Sequence, residues 1–482
     1  MDEVLEEIKQ LFRATYGSPV VTIEKIPQSG SDRIYFRAYG EGITSIATYG
    51  RNIRENETFI YFSKHFRACG CPVPQIMAVN KETTIYLQED FGNVSLLNQL
   101  DELGQHEKVY ALFQASLKQL AHLQIKGDNS LDYSRCITSR EFGKQAIMSD
   151  LLYFKYYFLD TLQAPYDKEQ LLEDFEQLST FLSSAEHKYF MFRDFQSRNV
   201  MTDDGQVHFI DYQGGMKGAL QYDVASMLWQ ARAQLSDEWK DRLLEYYIEC
   251  VEENLSEKVE RIPFVNRYNG YVLIRLLQVL GAYGFRGLFE RKAHFLTSIP
   301  LALTNLKSFL ANKNSGIQLP EFDRLLNLVV SDEIIDRFQP VQADEGTPLV
   351  VHINSFSYRK GIPPEVGGTG GGFVFDCRGL LNPGRFEEYK QLTGRDKSVQ
   401  DFLEQKSKIA EFLNSIYTIV DISVEDYIKR GFEHLQVSFG CTGGQHRSVF
   451  AADSLARHLR NKFKVKIELN HVEQDAKNWI NT

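Results

Sequence analysis

A polar segment at residues 339–348 divides the sequence into two regions with different patterns of apolar residues. The segment, Gln339-Pro-Val-Gln-Ala-Asp-Glu-Gly-Thr-Pro348, contains two prolines and has no periodicity, which is typical of a linker. Before it, strand-like alternation gives way to mainly helical spacing; after it, strand-like and helical stretches alternate. A chain of 482 residues with this division is expected to form several domains rather than one core.

The pattern predicts a bilobal α+β module followed by a separate α/β domain. In the first lobe we expect strands at 20–23, 34–38, 43–49 and 83–88 and a helix at 53–68. In the last domain we expect strands at 349–355, 373–377 and 434–439 and helices at 398–419, 424–430 and 447–462. The predicted segments are an antiparallel sheet with one helix over 1–92, a mainly helical lobe over 93–338, a linker over 339–347 and an α/β domain over 348–482.

Composition limits the classes of partner. Lys and Arg number 54 against 64 Asp and Glu, a net charge of −10, which disfavours a globally basic nucleic-acid binder and requires any anion site to be built locally. The six cysteines are scattered without zinc-ligand spacing. The N-terminus has no apolar segment, and we find no run of about 18 uncharged apolar residues. We therefore expect a cytoplasmic protein without a membrane partner.

The first chemical motif combines two carboxylates and an amide. Asp194 is followed five residues later by Asn199, and Asp211 ends a strand-like run. Phosphoryl transfer from ATP uses a carboxylate that accepts the proton of the attacking hydroxyl, and an amide and a second carboxylate that hold Mg²⁺. If Asp204-Gly205 is a two-residue turn, paired residue numbers sum to 409 and Asn199 lies beside Asp211, about 5–8 Å away.

Two sequence segments around this motif strengthen the prediction by resemblance. Phe192-Arg-Asp-Phe-Gln-Ser-Arg-Asn-Val-Met201 and Ile210-Asp-Tyr-Gln213 resemble the catalytic loop and metal aspartate of the aminoglycoside phosphotransferase/choline kinase-like superfamily, and within it the sugar kinases acting on cell-wall amino sugars. The resemblance covers about residues 1–336. It implies a protein-kinase-like fold, ATP and Mg²⁺ as cofactors, Asp194 as the base, and Asn199 and Asp211 as magnesium ligands. Asp223 is expected to cap a helix and brace the catalytic loop.

The same resemblance implies the nucleotide-binding positions of the first lobe. The turn over the phosphates would contain Ser29, Gly30, Ser31 and Arg33. Glu57 takes the place of the glutamate that usually pairs with a phosphate-binding lysine, and the backbone around Gln88–Asp90 would contact adenine.

One departure from the family pattern is the absence of that lysine. The strand Ile43–Tyr49 contains none, so the cation that neutralises the phosphates has to come from another residue. Arg33, Arg37 and Lys25 are the three candidates.

The second motif lies near the C-terminus. An apolar run, His434–Phe439, leads into a glycine-rich turn and a helical stretch, an arrangement that directs backbone N–H groups and a helix N-terminus at an anion. Arg447 can supply bidentate contacts to phosphate. The predicted phosphate-binding residues are Cys441, Thr442, Gly443, Gly444, Gln445, His446, Arg447 and Ser448, with Arg378 from a neighbouring strand end.

This region resembles the C-terminal domain of the RapZ family of RNase adaptor proteins. The segments that carry the resemblance are Ser355-Phe-Ser-Tyr-Arg-Lys-Gly361, Phe375-Asp-Cys-Arg378 and Gly440-Cys-Thr-Gly-Gly-Gln-His-Arg-Ser-Val449. The resemblance implies recognition of a phosphorylated amino sugar and binding of a small regulatory RNA. Because members ordinarily carry a different domain in front, RNA stays an open partner. The Cys441-x5-Arg447 spacing also leaves cysteine phosphatase chemistry open.

We conclude from the sequence that the chain is an ATP- and Mg²⁺-dependent phosphotransferase acting on a hydroxyl of an amino sugar, joined to a domain that binds a phosphosugar. The alternative is a regulatory adaptor that binds nucleotide without turnover, senses an amino-sugar phosphate and contacts RNA. The absent lysine favours the adaptor, and the set Asp194, Asn199 and Asp211 favours the enzyme. The oligomeric state is not predicted.

Overall fold

The computed structural model describes residues 2–26, 32–290, 293–312, 315–339, 341–368 and 372–475. The chain forms two compact units, Met1–Phe338 and Gln339–Thr482. The predicted fold class, a kinase-like bilobal α+β module followed by a separate α/β domain, is confirmed. The finer bounds of the four predicted segments stay predictions.

The first unit contains nine strands and thirteen α-helices among the described residues. The strands are β1 Thr22–Lys25, β2 Ile34–Tyr39, β3 Thr44–Tyr49, β4 Ile76–Val79, β5 Ile85–Gln88, β6 Lys188–Met191, β7 Val200–Asp203, β8 Gln206–Phe209 and β9 Met216–Ala219. The helices are α1 Asp2–Tyr16, α2 Ile53–Ala68, α3 Leu96–Leu103, α4 Glu107–Gly127, α5 Lys144–Tyr157, α6 Lys168–Ser183, α7 Gln221–Leu228, α8 Asp237–Leu255, α9 Arg261–Tyr283, α10 Ala293–Leu296, α11 Ile299–Asn312, α12 Pro320–Val329 and α13 Asp332–Phe338.

The first lobe is an antiparallel sheet in the order β1-β2-β3-β5-β4. The amphipathic helix α1 buries Ile8 and Phe12 in a small core with residues from the sheet. Helix α2 begins after Asn52, whose side chain accepts a hydrogen bond from the backbone N–H of Glu55. Its Phe59 stacks on Tyr86 of β5 at a centroid distance of 5.5 Å. Strand β4, with only four residues, is the one strand of this sheet that the alternation does not predict.

The second lobe is mainly helical and contains two short strand pairs, β6 with β9 and β7 with β8. Its longest helix, α9, continues into a π-helical turn at Gly284–Phe289. The segment Arg261–Phe289 is long and apolar enough to cross a membrane, but 56% of its most apolar window is buried inside the unit. We therefore interpret α9 as a core helix of this lobe.

The second unit is built on a parallel sheet of four strands, β10 Val350–Ser357, β11 Phe373–Asp376, β12 His434–Cys441 and β13 Lys466–His471. Their order in the sheet is β11-β12-β10-β13. The loops that follow the four strands consequently lie at one edge of the sheet. The helices of this unit are α14 Lys397–Lys406, α15 Ile409–Arg430, α16 Arg447–Phe463 and α17 Val472–Asp475. The expected helix bounds of 398–419 and 424–430 are wrong, because the helix breaks earlier, between α14 and α15. Strand β13 was not predicted.

Candidate active site

The hairpin of β7 and β8 has the predicted register. The pairs run from Val200 with Phe209 to Asp203 with Gln206, so that paired residue numbers sum to 409 as expected. Asp204 and Gly205 form the turn with φ of 43° and 80°, values typical of a two-residue hairpin turn. The backbone N–H of Ile210 donates to the carbonyl of Asn199 over 3.1 Å. The hairpin therefore brings Asn199 and Asp211 to its open end.

The three residues of the first motif converge there. The Nδ2 atom of Asn199 donates to the backbone carbonyl of Asp194 over 2.9 Å and lies 3.5 Å from Oδ2 of Asp211. Asp211 has a positive φ of 70°, and its Oδ1 accepts a hydrogen bond from Gln213 over 2.9 Å. The amide of Asn199 is thus oriented by its Nδ2 contacts.

The carboxylate of Asp194 is open to a reactant and held from one side. Its side chain is 47% exposed, and its Oδ1 lies 3.6 Å from Nη2 of Arg275, an arginine buried on α9. Because the partner is buried and charged, it fixes one oxygen of the carboxylate while the other stays accessible.

The backbone of the catalytic loop is braced by Asp223. Its carboxylate accepts the backbone N–H groups of Phe192 and Arg193 over 2.7 and 3.0 Å. Burial raises the pKa of Asp223 to about 7, against the opposing effect of these donors. The bracing role predicted for Asp223 is therefore observed. The capping role is not, because Leu220 is the N-cap and Asp223 lies inside the first turn of α7.

A cavity of about 310 Å³ opens between the first-lobe sheet and this hairpin. One wall is the backbone and side chains of Gln88, Glu89 and Asp90, and the opposite wall includes Asn199 and Asp211. The carbonyl of Gln88 accepts a hydrogen bond from Ser45 over 2.9 Å. The segment predicted to meet adenine thus borders the same cavity as the predicted metal ligands.

The cations of the first lobe differ in position. Arg33 contributes to the cavity wall and contacts Asp211. Arg37 also borders the cavity, but its guanidinium binds the Asp90 carboxylate through two hydrogen bonds of 2.7 and 2.9 Å. Lys25 is exposed at the end of the edge strand β1.

Two predictions for the first lobe have different outcomes. Glu57 is exposed on α2, and the glutamate that contacts a buried cation is Glu55, whose Oε1 lies 3.2 Å from Nε of Arg33. The expected pairing at Glu57 is therefore corrected to Glu55, since positions two apart in a helix point in different directions. Ser29, Gly30 and Ser31, the predicted turn over the phosphates, lie outside the described residues.

In the second unit the predicted strand, turn and helix are present. Several of the predicted phosphate-binding side chains are buried and make hydrogen bonds inside the domain. Cys441 is 3% exposed, and its thiol accepts the backbone N–H of Gly444 and contacts the hydroxyl of Ser448, both at 3.2 Å. A buried thiol with these partners is not accessible to a phosphate ester, which argues against phosphatase chemistry. Thr442 and Gly443 are exposed.

Arg447 does not face the turn as a phosphate clamp. It is 4% exposed, and its Nη1 donates to the carbonyls of Arg378 and Leu380 over 3.1 and 2.8 Å. The physical reason is that these carbonyls lie in the turn after β11, beside the buried side chains of Cys377 and Leu380, and need a donor. His446 and Gln445 are used in the same way, as their side chains bond the carbonyls of Tyr389 and Leu392.

The accessible cations of this edge are on other loops. Arg378 pairs with Asp376 and lies over the ring of Tyr358, its guanidinium carbon 4.1 Å from the ring centroid. Arg359 and Lys360, just after β10, are also exposed. These three residues and the glycine turn share the carboxyl edge of the parallel sheet.

Comparisons with known proteins match both units. Residues 22–257 match the phosphotransferase enzyme family and residues 349–475 the RapZ C-terminal domain. The chain is 39% identical over 194 residues to a nucleotide-binding protein of Fervidobacterium nodosum, covering 39% of this chain and 67% of that protein. It is 30% identical over 212 residues to a nucleotide-binding protein of Fusobacterium nucleatum, covering 42% and 69%. The chain belongs to the family of these nucleotide-binding proteins, and it contains a domain of the phosphotransferase enzyme family and a RapZ C-terminal domain.

The similarity has limits in coverage. The chain spans less than half the length of other curated relatives it matches, 41% and 33% in two cases. A crystal structure of a choline/ethanolamine kinase family protein from Mesorhizobium loti matches with a TM-score of 0.44 and 13% identity, over 68% of this chain and 98% of that one.

Four residues of the phosphotransferase domain that the sequence reasoning missed contact its site. Gln213 lies in the Ile-Asp-Tyr-Gln motif, two residues after Asp211, and its position was a usable signal. Arg275 is a charged residue inside the apolar run Tyr271–Leu280, which is unusual unless the charge has a buried partner. The other two are Glu55, beside Arg33, and Asp150, whose carboxylate pairs with Arg193 over 3.1 Å.

Proposed function

We propose that the phosphotransferase domain transfers the γ-phosphoryl group of ATP to a hydroxyl group of a small molecule, and that this acceptor is an amino sugar. The convergence of Asp194, Asn199 and Asp211 at the end of one hairpin, with Asn199 and Asp211 lining the cavity, carries the proposal. A carboxylate, an amide and a second carboxylate are the side chains that this reaction requires in a protein-kinase-like fold.

In this mechanism Asp194 orients the acceptor hydroxyl and accepts its proton as the oxygen attacks phosphorus. The contact with Arg275 fixes the direction of the carboxylate. Because the side chain is 47% exposed, the proton can pass to solvent after transfer. Asp223 holds the loop backbone, and the Arg193–Asp150 pair anchors the residue before the base.

The residues at the hairpin end fit a magnesium ion bound together with ATP. The Nδ2 atom of Asn199 is used within the protein, so its Oδ1 is the atom offered to a cation, and Asp211 adds carboxylate oxygens. Among the described residues no group of three or more His, Cys, Asp and Glu forms a metal site, as expected where phosphate and water complete the coordination. Bound Mg²⁺ supplies charge neutralisation of the phosphates.

The candidate acceptor surface is an aromatic cluster that begins one turn after Asp150 on α5. Tyr153 and Tyr157 follow Asp150 on α5, and their partly exposed rings pack with Phe285 and the exposed Phe289 at centroid distances of 4.7–6.3 Å. Aromatic rings bury large apolar area while the tyrosine hydroxyl keeps a polar contact, a combination suited to a sugar ring.

The proposal for the RapZ C-terminal domain is that it binds a phosphorylated amino sugar at the carboxyl edge of its sheet. Exposed Arg359, Lys360 and Arg378 supply positive charge there, and the N-terminus of α16 adds backbone N–H groups. These proposed ligands, ATP and a phosphosugar, are the support for the proposal that the protein is cytoplasmic.

The competing function is a regulatory adaptor in which nucleotide binds without turnover and the second domain contacts RNA. The observation that favours it is the lysine-free strand β3. The curated relatives are named nucleotide-binding proteins, a name that fits either function.

The test is release of ADP from Mg-ATP over a panel of amino sugars, with neutral sugars as comparison. We expect turnover with at least one amino sugar and a loss of about 10²–10⁴-fold in kcat for Asp194→Asn, the range for removal of a general base. The matched control is Asp204→Asn, an exposed carboxylate in the hairpin turn, which should leave kcat within about twofold.

Absence of turnover in the wild type with every acceptor, together with a gel shift of labelled RNA, would favour the adaptor. Equal kcat for wild type and Asp194→Asn would refute the role of the base.

A further inference from the structure

The cation nearest to the predicted metal ligands is Arg33, directly before β2. Its Nη2 lies 3.1 Å from Oδ1 of Asp211 and its Nε 3.2 Å from Oε1 of Glu55. The arginine side chain is 3% exposed, whereas those of Glu55 and Asp211 are 22% and 39% exposed. Arg33 is therefore a buried cation with both carboxylate partners on its solvent side, along the wall of the cavity.

Two aromatic rings fix the plane of this guanidinium. The guanidinium carbon of Arg33 lies 5.5 Å from the ring centroid of Tyr35 and 5.9 Å from that of Phe59. Aromatic faces at this distance stabilise a planar cation, so the orientation of Arg33 is set before any ligand enters.

The two other candidate cations are not placed in this way. Arg37 binds Asp90 through Nε and Nη2 and also donates to the carbonyl of Gly92, so its donors are used in holding the hinge segment. Lys25 is exposed on the edge strand β1. Of the three, Arg33 alone contacts Asp211 in the described residues.

We infer that Arg33 binds the phosphate groups of the nucleotide, in place of the lysine that such kinases commonly carry on the third strand, and that Glu55 positions it. The inference rests on the proposed function in one respect, namely that a nucleotide occupies this cavity. A guanidinium has five N–H donors in a planar fork that matches phosphate oxygens. It can therefore contact phosphate and retain a carboxylate partner.

Phosphate binding at this position requires a guanidinium and not only a positive charge. Lysine would preserve the positive charge but not the planar fork or the packing between Tyr35 and Phe59. We therefore expect Arg33→Lys to be defective, although a lysine is the usual residue for this task in related kinases. If the attraction between Arg33 and phosphate were purely electrostatic, lysine would restore it.

The experiment measures binding to the full chain by calorimetry, so that no acceptor has to be known. The probes are ADP, which carries phosphates, and adenosine, which does not. For Arg33→Met we expect ADP affinity to fall about 30-fold or more and adenosine affinity to stay within about twofold. For Arg33→Lys we expect a loss of roughly 5–10-fold for ADP alone.

Glu55 provides a positioning test with a matched control on the same helix. Glu55→Gln should weaken ADP binding by about 3–10-fold and leave adenosine unaffected, since the guanidinium loses one charged partner. Glu57→Gln, which changes an exposed carboxylate two residues later, should change neither affinity by more than about twofold.

The outcomes separate this inference from the proposed function. ADP affinity within twofold of wild type for both Arg33→Met and Arg33→Lys would overturn the inference, and Arg33→Lys decides alone if the methionine variant does not fold. Failure of the wild type to bind ADP would overturn both proposals. ADP binding that depends on Arg33, without phosphorylation of any amino sugar, would support the inference and reject only the proposed reaction.

Discussion

The hairpin end of the phosphotransferase domain and the glycine-rich turn of the RapZ C-terminal domain use polar side chains in opposite ways. At the hairpin, Asp194 is 47% exposed and Asp211, which lines the cavity, is 39% exposed. At the turn, Arg447 is 4% exposed and bonds backbone carbonyls. Both regions have motifs dense in polar residues, but the arginine of the second motif is used in contacts inside its domain.

The difference follows from how each loop satisfies its backbone. The hairpin satisfies its own N–H and carbonyl groups through strand pairing, so the side chains at its end are not needed as partners for the hairpin backbone. The loops at the edge of the parallel sheet have no such pairing, and buried carbonyls there need side-chain donors. An arginine at a helix N-terminus can therefore be a structural donor rather than a ligand-binding residue.

The largest effect expected in the second domain is the loss of Arg447. Arg447→Met leaves two buried carbonyls without their donor and should lower the free energy of unfolding of this domain by roughly 3–5 kcal/mol. Arg378→Met removes an exposed ion pair and should cost less than about 1 kcal/mol. Denaturant unfolding followed by hydrogen exchange of residues in 349–475 gives both numbers.

The same pair of variants tests where phosphate binds. Arg378→Met should weaken binding of an amino-sugar phosphate by roughly tenfold while the domain stays folded. A stable Arg447→Met protein that has lost phosphosugar affinity would contradict the assignment of stability to Arg447 and of phosphate binding to Arg378. It would show that Arg447 binds the phosphate.

Local spacing was sufficient to predict the catalytic hairpin. A turn at Asp204-Gly205 fixes the register of the strands, and the register alone places Asn199 beside Asp211. The division of the chain after Phe338 also followed from a polar segment with two prolines. These features depend on residues close together in sequence.

The parts that could not be predicted depend on contacts across long sequence separations. The pairing of Arg33 with Asp211 joins residues 178 positions apart. The pairing of Arg275 with Asp194 joins a residue of helix α9 to one in the loop after β6. The burial of Arg447 requires the carbonyls of Arg378 and Leu380, 69 and 67 positions away. A single sequence specifies the residue types of such pairs and not which partners meet.

The bracing of the catalytic loop gives a pH-dependent prediction for the first domain. The pKa of Asp223 is raised from 3.8 to about 7 by burial, so between about pH 4 and 7 the folded state retains a proton that the unfolded chain has lost. The contribution of Asp223 to stability therefore falls as pH rises through this window. Asp223→Asn does not titrate, so the variant should lack this decline.

The measurement compares unfolding free energies at pH 4.5, 5.5 and 7. Asp223→Asn should be less stable by roughly 2–3 kcal/mol at low pH, since the amide offers one acceptor oxygen to the two loop N–H groups where the carboxyl group offers two, and the difference from wild type should narrow as pH rises. The control Asp204→Asn changes an exposed carboxylate and should show no such trend. A difference that widens toward pH 7 would mean that the ionised carboxylate is the favoured form.

The smallest changes in unfolding free energy are expected for the glycines of the two loops. These variants test whether the backbone of the hairpin turn is more open than that of the glycine-rich turn. Gly205 and Gly444 both have positive φ, 80° and 65°, so alanine costs about 1 kcal/mol at either position from backbone strain alone. A Cβ on Gly205 would meet nothing within 4 Å, whereas one on Gly444 would lie 2.9 Å from the backbone nitrogen of Ser357 and 2.4 Å from Cγ of Glu473. Gly444→Ala should therefore cost about 2–3 kcal/mol and Gly205→Ala about 1 kcal/mol, measured by denaturant unfolding. Equal costs would show that the turn of the second domain has room to relax, and the hairpin would then no longer be the more open of the two loops.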